Sequence, residues 1–124
     1  MQEEIGNTIN FLHNTAKTEY GDLIIFSGEI KIDKNQTKKI FLSIAWSGWG
    51  KVSSARAATR LIATQYKNNH IDLLLFTGVA GSLISELKQW DIIVPDNVIQ
   101  YDVDARPIFK RFHIPNLNID KFSP

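Results

Sequence analysis

The chain has 124 residues, 44% hydrophobic and 22% charged, which is the composition of one folded domain and excludes a disordered segment. Fourteen basic and thirteen acidic residues leave a formal charge of +1, without the basic stretches that favour nucleic acid as a partner. With no cysteine, an acidic start and no apolar run of membrane-spanning length, we expect a cytoplasmic protein without thiolate chemistry or membrane contact.

The first half of the chain predicts a helix, two strands and a second helix. Apolar residues at roughly helical spacing indicate a short amphipathic helix over 3–15. The β-branched and aromatic segments 22–30 and 39–46 predict an antiparallel pair joined by a polar turn. The alanine-rich segment 52–66 predicts a helix that packs closely on the sheet.

The second half predicts further strands and then an irregular tail. The unbroken apolar run 71–76 is typical of a strand buried on both faces of a parallel sheet. A short helix or turn is expected at 83–90, and strands are expected at 91–95 and 97–101. From Ala105 onward, scattered prolines and phenylalanines fit neither period and predict an irregular arm. This order of elements predicts an α/β fold in one domain.

Two glycine-containing loops, 47–51 and 77–82, follow predicted strands and are the candidate ligand-binding segments. Their glycines permit positive φ and close approach of a ligand to the backbone. Neither loop meets a phosphate-binding pattern in full, because Ala45 and Val52 occupy positions where the P-loop needs Gly and Ser or Thr. The dinucleotide fingerprint fails at Ser53. Taken alone, 77–82 is equally well interpreted as a tight strand exit that serves only folding.

Isolated polar residues carry less information. The three histidines are far apart and lack a second ligand at metal-binding spacing, so we expect no metal site and interpret them as solvated or capping residues: His13, His70 and His113. Asp102 and Asp104 would share one face of a strand without defining a site. Glu3 and Glu4 are either surface residues that complement a helix dipole or, in the case of one of them, a general base near the glycine loops.

Five segments together resemble the nucleoside phosphorylase superfamily, and within it the 5′-methylthioadenosine/S-adenosylhomocysteine nucleosidases. In the family's order they are 1–5, 47–52, 77–83, 87–94 and 100–104. The resemblance implies a three-layer α/β fold with a mixed central sheet, of which 1–124 is a partial domain lacking the first strand and the C-terminal half. It also implies cofactor-independent hydrolysis of the N-glycosidic bond of adenine thionucleosides, with adenine as a product.

The resemblance also implies roles for individual residues. Glu4 falls on the glutamate that handles the attacking water, and Gly81 gives backbone contacts to the nucleoside, with Val79 and Ala80 beside it. Trp49 stands next to the ribosyl site, where the family more often has isoleucine. In the family's homodimers, the arm after 104 reaches the neighbour's thioalkyl pocket; by position it includes Ala105 and Ile108.

The resemblance also sets limits on activity. The acid that protonates adenine and the residues that hold base and ribose lie in the missing C-terminal half, so the isolated chain is expected to be inactive. Its expected partners are an adenine nucleoside and either a second copy or a complementing C-terminal half. The alternatives are a purine nucleoside phosphorylase and a non-catalytic remnant. Val79 stands where a phosphate-binding serine is common, and no arginine lies near Glu4, which favours hydrolysis over phosphorolysis.

Overall fold

A computed structural model describes residues 5–33, 38–64 and 70–123. Its regular elements are, in chain order, a 3-10 helix at Gly6–Phe11, strands β1 (His13–Tyr20), β2 (Leu23–Lys31) and β3 (Lys39–Ala45), and helix α1 (Lys51–Ala63). The chain divides into two compact units, Met1–Val79 and Ala80–Pro124, called the first and second unit below. All of these regular elements belong to the first unit.

The sheet of the first unit is an antiparallel meander with β2 in the centre. Ile25 of β2 lies opposite Thr18 of β1 and Ala45 of β3. Two residues further along β2, Ser27 lies opposite Ser43, and their hydroxyl oxygens are 2.7 Å apart. Because side chains alternate between the faces of a strand, this hydroxyl pair lies on the same face as Ile25.

Helix α1 covers the apolar end of that face. Leu23 and Ile25 are buried together with Ala57 of α1. The small Ala57 side chain allows close approach of the helix to the sheet. The partly buried side chains packed around this core are Tyr20, Ala45 and Leu61. The prediction of a helix packed on the sheet is therefore confirmed.

Two charged contacts fix the orientation of α1. The Arg56 guanidinium donates from Nη1 and Nη2 to the two carboxylate oxygens of Asp22, at 2.7 and 3.0 Å. This hydrogen bonding lowers the pKa of Asp22 below its ordinary value. One turn later, the Arg60 guanidinium lies 4.5 Å from the centre of the Tyr20 ring, a cation–π contact. Tyr20 is the last residue of β1 and Asp22 lies in the turn to β2, so both contacts join α1 to this end of the sheet.

The polar end of the same face contains a buried carboxylate. Glu29 is only 3% exposed, and its Oε2 accepts a hydrogen bond of 3.0 Å from Nζ of Lys39 on the neighbouring strand. A buried charge needs such a partner, because desolvation penalises the charged form. The sheet face is thus apolar under α1 and polar beyond it.

The N-terminal helix predicted over 3–15 is wrong in extent. The structure has a 3-10 helix at Gly6–Phe11 that ends at Leu12, whose φ of −78° and ψ of 128° are extended. β1 starts at His13, within the segment predicted as helix. The sequence of β1 is largely polar and lacks clear alternation, so pairing with β2, rather than local propensity, makes it a strand. Glu4, to which the resemblance assigns the water, lies outside the described residues.

The predicted strands 22–30 and 39–46 are confirmed, with small shifts at their ends. The helix predicted at 52–66 is confirmed as Lys51–Ala63, and residues 65 and 66 of the prediction lie outside the described residues. The buried parallel strand predicted at 71–76 is wrong. That segment has no strand structure, and the side chains of Leu73 and Phe76 are 71% and 81% exposed. A strand buried on both faces needs sheet neighbours and a covering layer on each side. Within the described residues the sheet is antiparallel only, so a mixed sheet is not formed there.

The second unit is built from turns. Over its described residues, 80–123, two isolated antiparallel bridges join Val98 to Phe122 and Ile114 to Ile119. The strands predicted at 91–95 and 97–101 are therefore wrong, apart from the bridge at Val98. The irregular tail after Ala105 is confirmed, and so is the turn alternative at 83–90. No described helix of either unit is long and apolar enough to cross a membrane.

Candidate functional site

The first glycine loop connects β3 to α1 and adopts the backbone conformation predicted for its glycines. Gly48 and Gly50 have φ of 78° and 86°, a region that side chains other than glycine rarely adopt. A Cβ at Gly48 would also lie 3.3 Å from Cβ of Ser53. The loop therefore needs both glycines in order to turn from the sheet into the helix.

This turn leaves the N-cap of α1 without a side-chain hydrogen bond. Gly50 is the N-cap, has no side chain to satisfy the first amides, and no acidic residue stands in the first turn. The first four N–H groups of a helix have no partner within it and, with the helix dipole, favour an anionic or oxygen-rich ligand. Lys51, the first residue of α1, adds positive charge at the same end. The arrangement fits a ligand that presents oxygen atoms to backbone amides.

Two exposed apolar residues stand on either side of Gly50 and Lys51 in the sequence. Trp49 is 80% exposed and Val52 is 85% exposed. Exposed apolar surface beside convergent hydrogen-bond donors is the usual composition of a small-molecule site. Trp49, predicted to stand next to the ribosyl group, is thus an exposed aromatic side chain one residue before the N-cap of α1.

The second glycine loop differs from the expectation. Gly78 and Gly81 are not among the residues with positive φ, so the loop does not use the conformational freedom predicted for it. Val79 is 93% exposed, and nothing lies within 4 Å of where a Cβ on Gly81 would stand. Ala80 is also exposed. Residues 79–81 are therefore exposed, and contact between a ligand and the backbone requires such exposure.

The predicted site residues are distributed between the two units. Trp49 and Val79 belong to the first unit, whereas Ala80 and Gly81 open the second. Ala105 and Ile108, predicted to reach a partner's pocket, lie in one turn of the second unit, where the Ile108 N–H donates to the Ala105 carbonyl at 3.1 Å. Ile108 is highly exposed, as a residue that contacts another subunit must be before assembly.

Asp104 is engaged in a local ion pair. Its carboxylate accepts from Nε and Nη2 of Arg106, at 2.8 and 2.5 Å, and from the Arg106 backbone N–H at 3.2 Å. These bonds lower the pKa of Asp104 to about 2. The segment is not a strand, so the shared strand face predicted for Asp102 and Asp104 is wrong. Asp104 thus binds Arg106, two residues further along the same segment.

The sequence did not predict the contact between His113 and Asp120. The imidazole of His113, whose side chain is 17% exposed, contacts Oδ1 of Asp120 through Nδ1 at 2.7 Å. The Phe109 ring stacks on the imidazole with centroids 5.3 Å apart. His113 is therefore neither a solvated nor a capping residue. The turn signals between the two residues, Pro115, Asn116 and Asn118, were the cue that His113 and Asp120 would meet.

A metal site is not indicated by the arrangement of potential ligands. Among the described residues, no three His, Asp, Glu or Cys side chains lie close enough together to hold an ion.

Comparison with known proteins shows the family to which this chain is similar. The family model described as "Phosphorylase superfamily" matches residues 1–123. The chain is 33% identical over 106 residues to a 5′-methylthioadenosine/S-adenosylhomocysteine nucleosidase of Staphylococcus saprophyticus, covering 86% of this chain and 42% of the relative. It is 32% identical over 104 residues to a protein of the same name from Buchnera aphidicola, covering 84% and 40%. The chain thus spans about two fifths of the length of these relatives.

Proposed function

This chain belongs to the phosphorylase superfamily, and we propose that it contributes one part of an active site that hydrolyses adenine thionucleosides of the methylthioadenosine and S-adenosylhomocysteine type. The observation that carries this proposal is the alignment of 86% of the chain with a nucleosidase of that name. The N-terminus of α1 behind Gly48 and Gly50, which lacks a side-chain cap, supports it, because it offers amide donors to an oxygen-rich ligand.

The proposed reaction breaks the N-glycosidic bond through a ribosyl transition state with oxocarbenium character. Glu4 positions and deprotonates the attacking water on one face of the ribose. The backbone at Gly81, beside Val79 and Ala80, contacts the nucleoside, and Trp49 packs next to the ribosyl group. Protonation of the departing adenine requires an acid, which we assign to a second polypeptide segment and to no residue of this chain.

Exposed apolar surface supports the need for that second segment. Among the described residues, only Leu12, Leu23, Ile25 and Ala57 are buried hydrophobic residues, whereas the run 71–76 exposes most of its leucine and phenylalanine surface. Apolar surface of this extent marks an interaction site. We propose that a complementing polypeptide covers this surface and completes a three-layer fold with a mixed sheet. Assembly as a homodimer and a cytoplasmic location belong to the same proposal.

Hydrolysis is favoured over phosphorolysis at the second glycine loop. A phosphorylase needs hydroxyl or cationic ligands for phosphate, and the position in this loop where the resemblance places a serine carries Val79 instead. The names of the two relatives point in the same direction.

The two reactions are distinguished by their products and their dependence on phosphate. The test mixes the 124-residue chain with a polypeptide carrying the part of the Staphylococcus saprophyticus relative outside the matched region, and supplies methylthioadenosine with and without inorganic phosphate. We expect adenine and free methylthioribose at rates that do not change with phosphate. Phosphate-dependent formation of a ribose 1-phosphate product would instead establish a phosphorylase.

A further inference from the structure

Helix α1 of the first unit has an exposed apolar stripe in addition to the side that packs on the sheet. The sheet-facing side contains the buried Ala57 and the partly buried Leu61. Residues three and four positions apart share one side of a helix, and four such residues lie on the side opposite Ala57. They are called the outer stripe and are all exposed: Val52, Ala55, Thr59 and Ile62.

The outer stripe contains no charged residue, although it faces away from the sheet. Val52 is 85% exposed and Ile62 is 60% exposed. The Thr59 hydroxyl donates to the Ala55 carbonyl at 2.8 Å, so this donor is satisfied within the helix. The side of a helix that faces away from the core is ordinarily polar. Apolar residues on that side therefore indicate a surface that contacts another molecule.

The cations of α1 lie beside the outer stripe and give the helix a charge asymmetry. Arg56 is bonded to Asp22, and Arg60 lies over the Tyr20 ring, so both are engaged within the chain. Lys51 stands at the N-terminal end, and α1 contains no acidic residue. Because the helix dipole adds positive charge at the same end and negative charge at the other, a matching partner must present the opposite polarity.

A second copy of α1 in antiparallel orientation matches the outer stripe in shape. With a twofold axis at the middle of the helix, Val52 of one copy lies opposite Ile62 of the other. Ala55 then lies opposite Thr59. The larger side chains meet at the two ends of the contact, and the smaller ones in the middle allow the two helices to approach closely.

The charges select the same orientation. In the antiparallel pair, Lys51 of each copy lies beside the C-terminal turn of the other helix, where the dipole favours a cation. A parallel pair would place the two Lys51 ammonium groups and both positive helix ends side by side, with no acidic residue on α1 to compensate them.

We propose that the outer stripe is the contact surface between two copies of this chain, paired antiparallel through α1. The inference rests on the homodimer included in the proposed function, to which it gives a surface, and makes no use of hydrolysis. A helix of 13 residues is about 20 Å long. Contact along one such helix belongs to the small interfaces, below about 1,200 Å² in total, so we expect a dimer in equilibrium with the monomer.

Analytical ultracentrifugation of the full 124-residue chain, without substrate or complementing polypeptide, measures this assembly. We expect a reversible monomer–dimer equilibrium at concentrations up to about 100 μM. Ala55→Arg places a charge at the centre of the contact and should raise the dissociation constant at least about tenfold. Ala16→Arg, at an exposed alanine of β1, is the matched control and should leave the equilibrium unchanged.

Two results would overturn the proposal. One is a chain that stays monomeric throughout this range. The other is an Ala55→Arg variant that keeps its helix by circular dichroism and dimerises like the unmodified chain. Adenine release in the presence of the complementing polypeptide is a separate readout, so loss of the dimer proposal and loss of the nucleosidase proposal are distinguishable.

Cysteine substitutions test the orientation, because the chain has no cysteine of its own. The double variant Val52→Cys/Ile62→Cys should form disulfide-linked dimers on mild oxidation, since the two positions meet only between copies. Within one helix they are about 15 Å apart, too far for a disulfide. Val52→Cys alone should remain monomeric under denaturing conditions, because its two copies are equally far apart. Cross-linking of Val52→Cys alone as efficiently as the double variant would show a parallel pair and contradict the proposal.

Discussion

At the scale of single residues, several charged side chains of the described part of the chain form pairs, and the environment of each pair determines its consequence. Asp104 is exposed but takes three kinds of hydrogen bond from Arg106. Glu29 is buried and bonded to Lys39. The first pair should appear as a shifted titration, and the second as a contribution to stability.

Titration of Asp104 should occur well below that of an ordinary aspartate. Hydrogen bonding from Arg106 lowers the pKa of Asp104 from 3.8 to about 2. Because the folded-state value is depressed, the stabilisation from this pair is fully present above about pH 4 and is lost as the pH falls through about 2. A carboxyl-carbon NMR titration measures this directly. Arg106→Gln should return the midpoint towards 3.8, and an ordinary midpoint in the unmodified chain would contradict the pairing.

Removing the ammonium group opposite Glu29 should destabilise the first unit. Lys39→Met leaves a 3% exposed carboxylate without this partner, so we expect a loss of about 1 to 3 kcal/mol in the free energy of unfolding. Lys17 is the matched control, because it pairs with Glu19 on a strand surface where both side chains are about half exposed. Lys17→Met should change stability by less than about 0.5 kcal/mol. Equal losses in urea unfolding would show that burial of Glu29 is not the cause.

At the scale of elements, the close approach of β1 to β2 depends on Gly28. A Cβ at this position would lie 2.9 Å from both the His13 carbonyl oxygen and the Leu12 Cβ. The carbonyl belongs to the backbone and cannot move aside cheaply, so Gly28→Ala should cost about 1 to 3 kcal/mol in unfolding free energy. The segment that joins the 3-10 helix to β1 is expected to shift with it.

Gly81 provides the contrasting substitution. Its φ is not positive and nothing lies within 4 Å of an added Cβ, so Gly81→Ala should leave stability unchanged within about 0.5 kcal/mol. If the loop contacts the nucleoside as proposed, the same variant should lower the activity of the complemented enzyme. A stable variant with full activity would remove Gly81 from the site.

The elements also show what the sequence was able to predict. β2, β3 and α1 were predicted because their own residues favour strand or helix and their apolar spacing matches the face they bury. β1 was not, because its polar sequence becomes a strand only by pairing with β2. The run 71–76 was misassigned because apolar composition reports the surroundings that a segment suits, and those neighbours are not among the described residues.

In the candidate site too, features set by the local sequence were predictable, whereas features that depend on other segments were not. Positive φ at Gly48 and Gly50 was predictable, since a turn between a strand and a helix imposes it locally. Gly78 and Gly81, whose positive φ the sequence permits, do not adopt it, and the strand whose tight exit would require it is not formed. The contact between His113 and Asp120 depends on a hairpin that brings together residues seven positions apart, which residue spacing alone does not establish.

At the scale of the whole molecule, two facts support the proposal of a complementing polypeptide. Much apolar surface is exposed, and the chain spans about two fifths of the length of its relatives. Under the proposed function, the chain contributes one part of a nucleosidase site, to which Glu4, Trp49 and Gly81 belong. Catalysis also needs the acid for adenine, which the proposal assigns to a second polypeptide segment. Activity should therefore depend on a complementing polypeptide and on Glu4 together.

The most direct test measures adenine release from methylthioadenosine by the 124-residue chain, alone and with the complementing polypeptide. We predict no release above background by the chain alone, release by the mixture, and loss of that release by at least about a hundredfold in Glu4→Gln, as expected for a group that activates water. Glu3→Gln is the matched control and should retain activity. Adenine release by the isolated chain at the rate of a complete nucleosidase, or undiminished release by the Glu4→Gln mixture, would contradict this account.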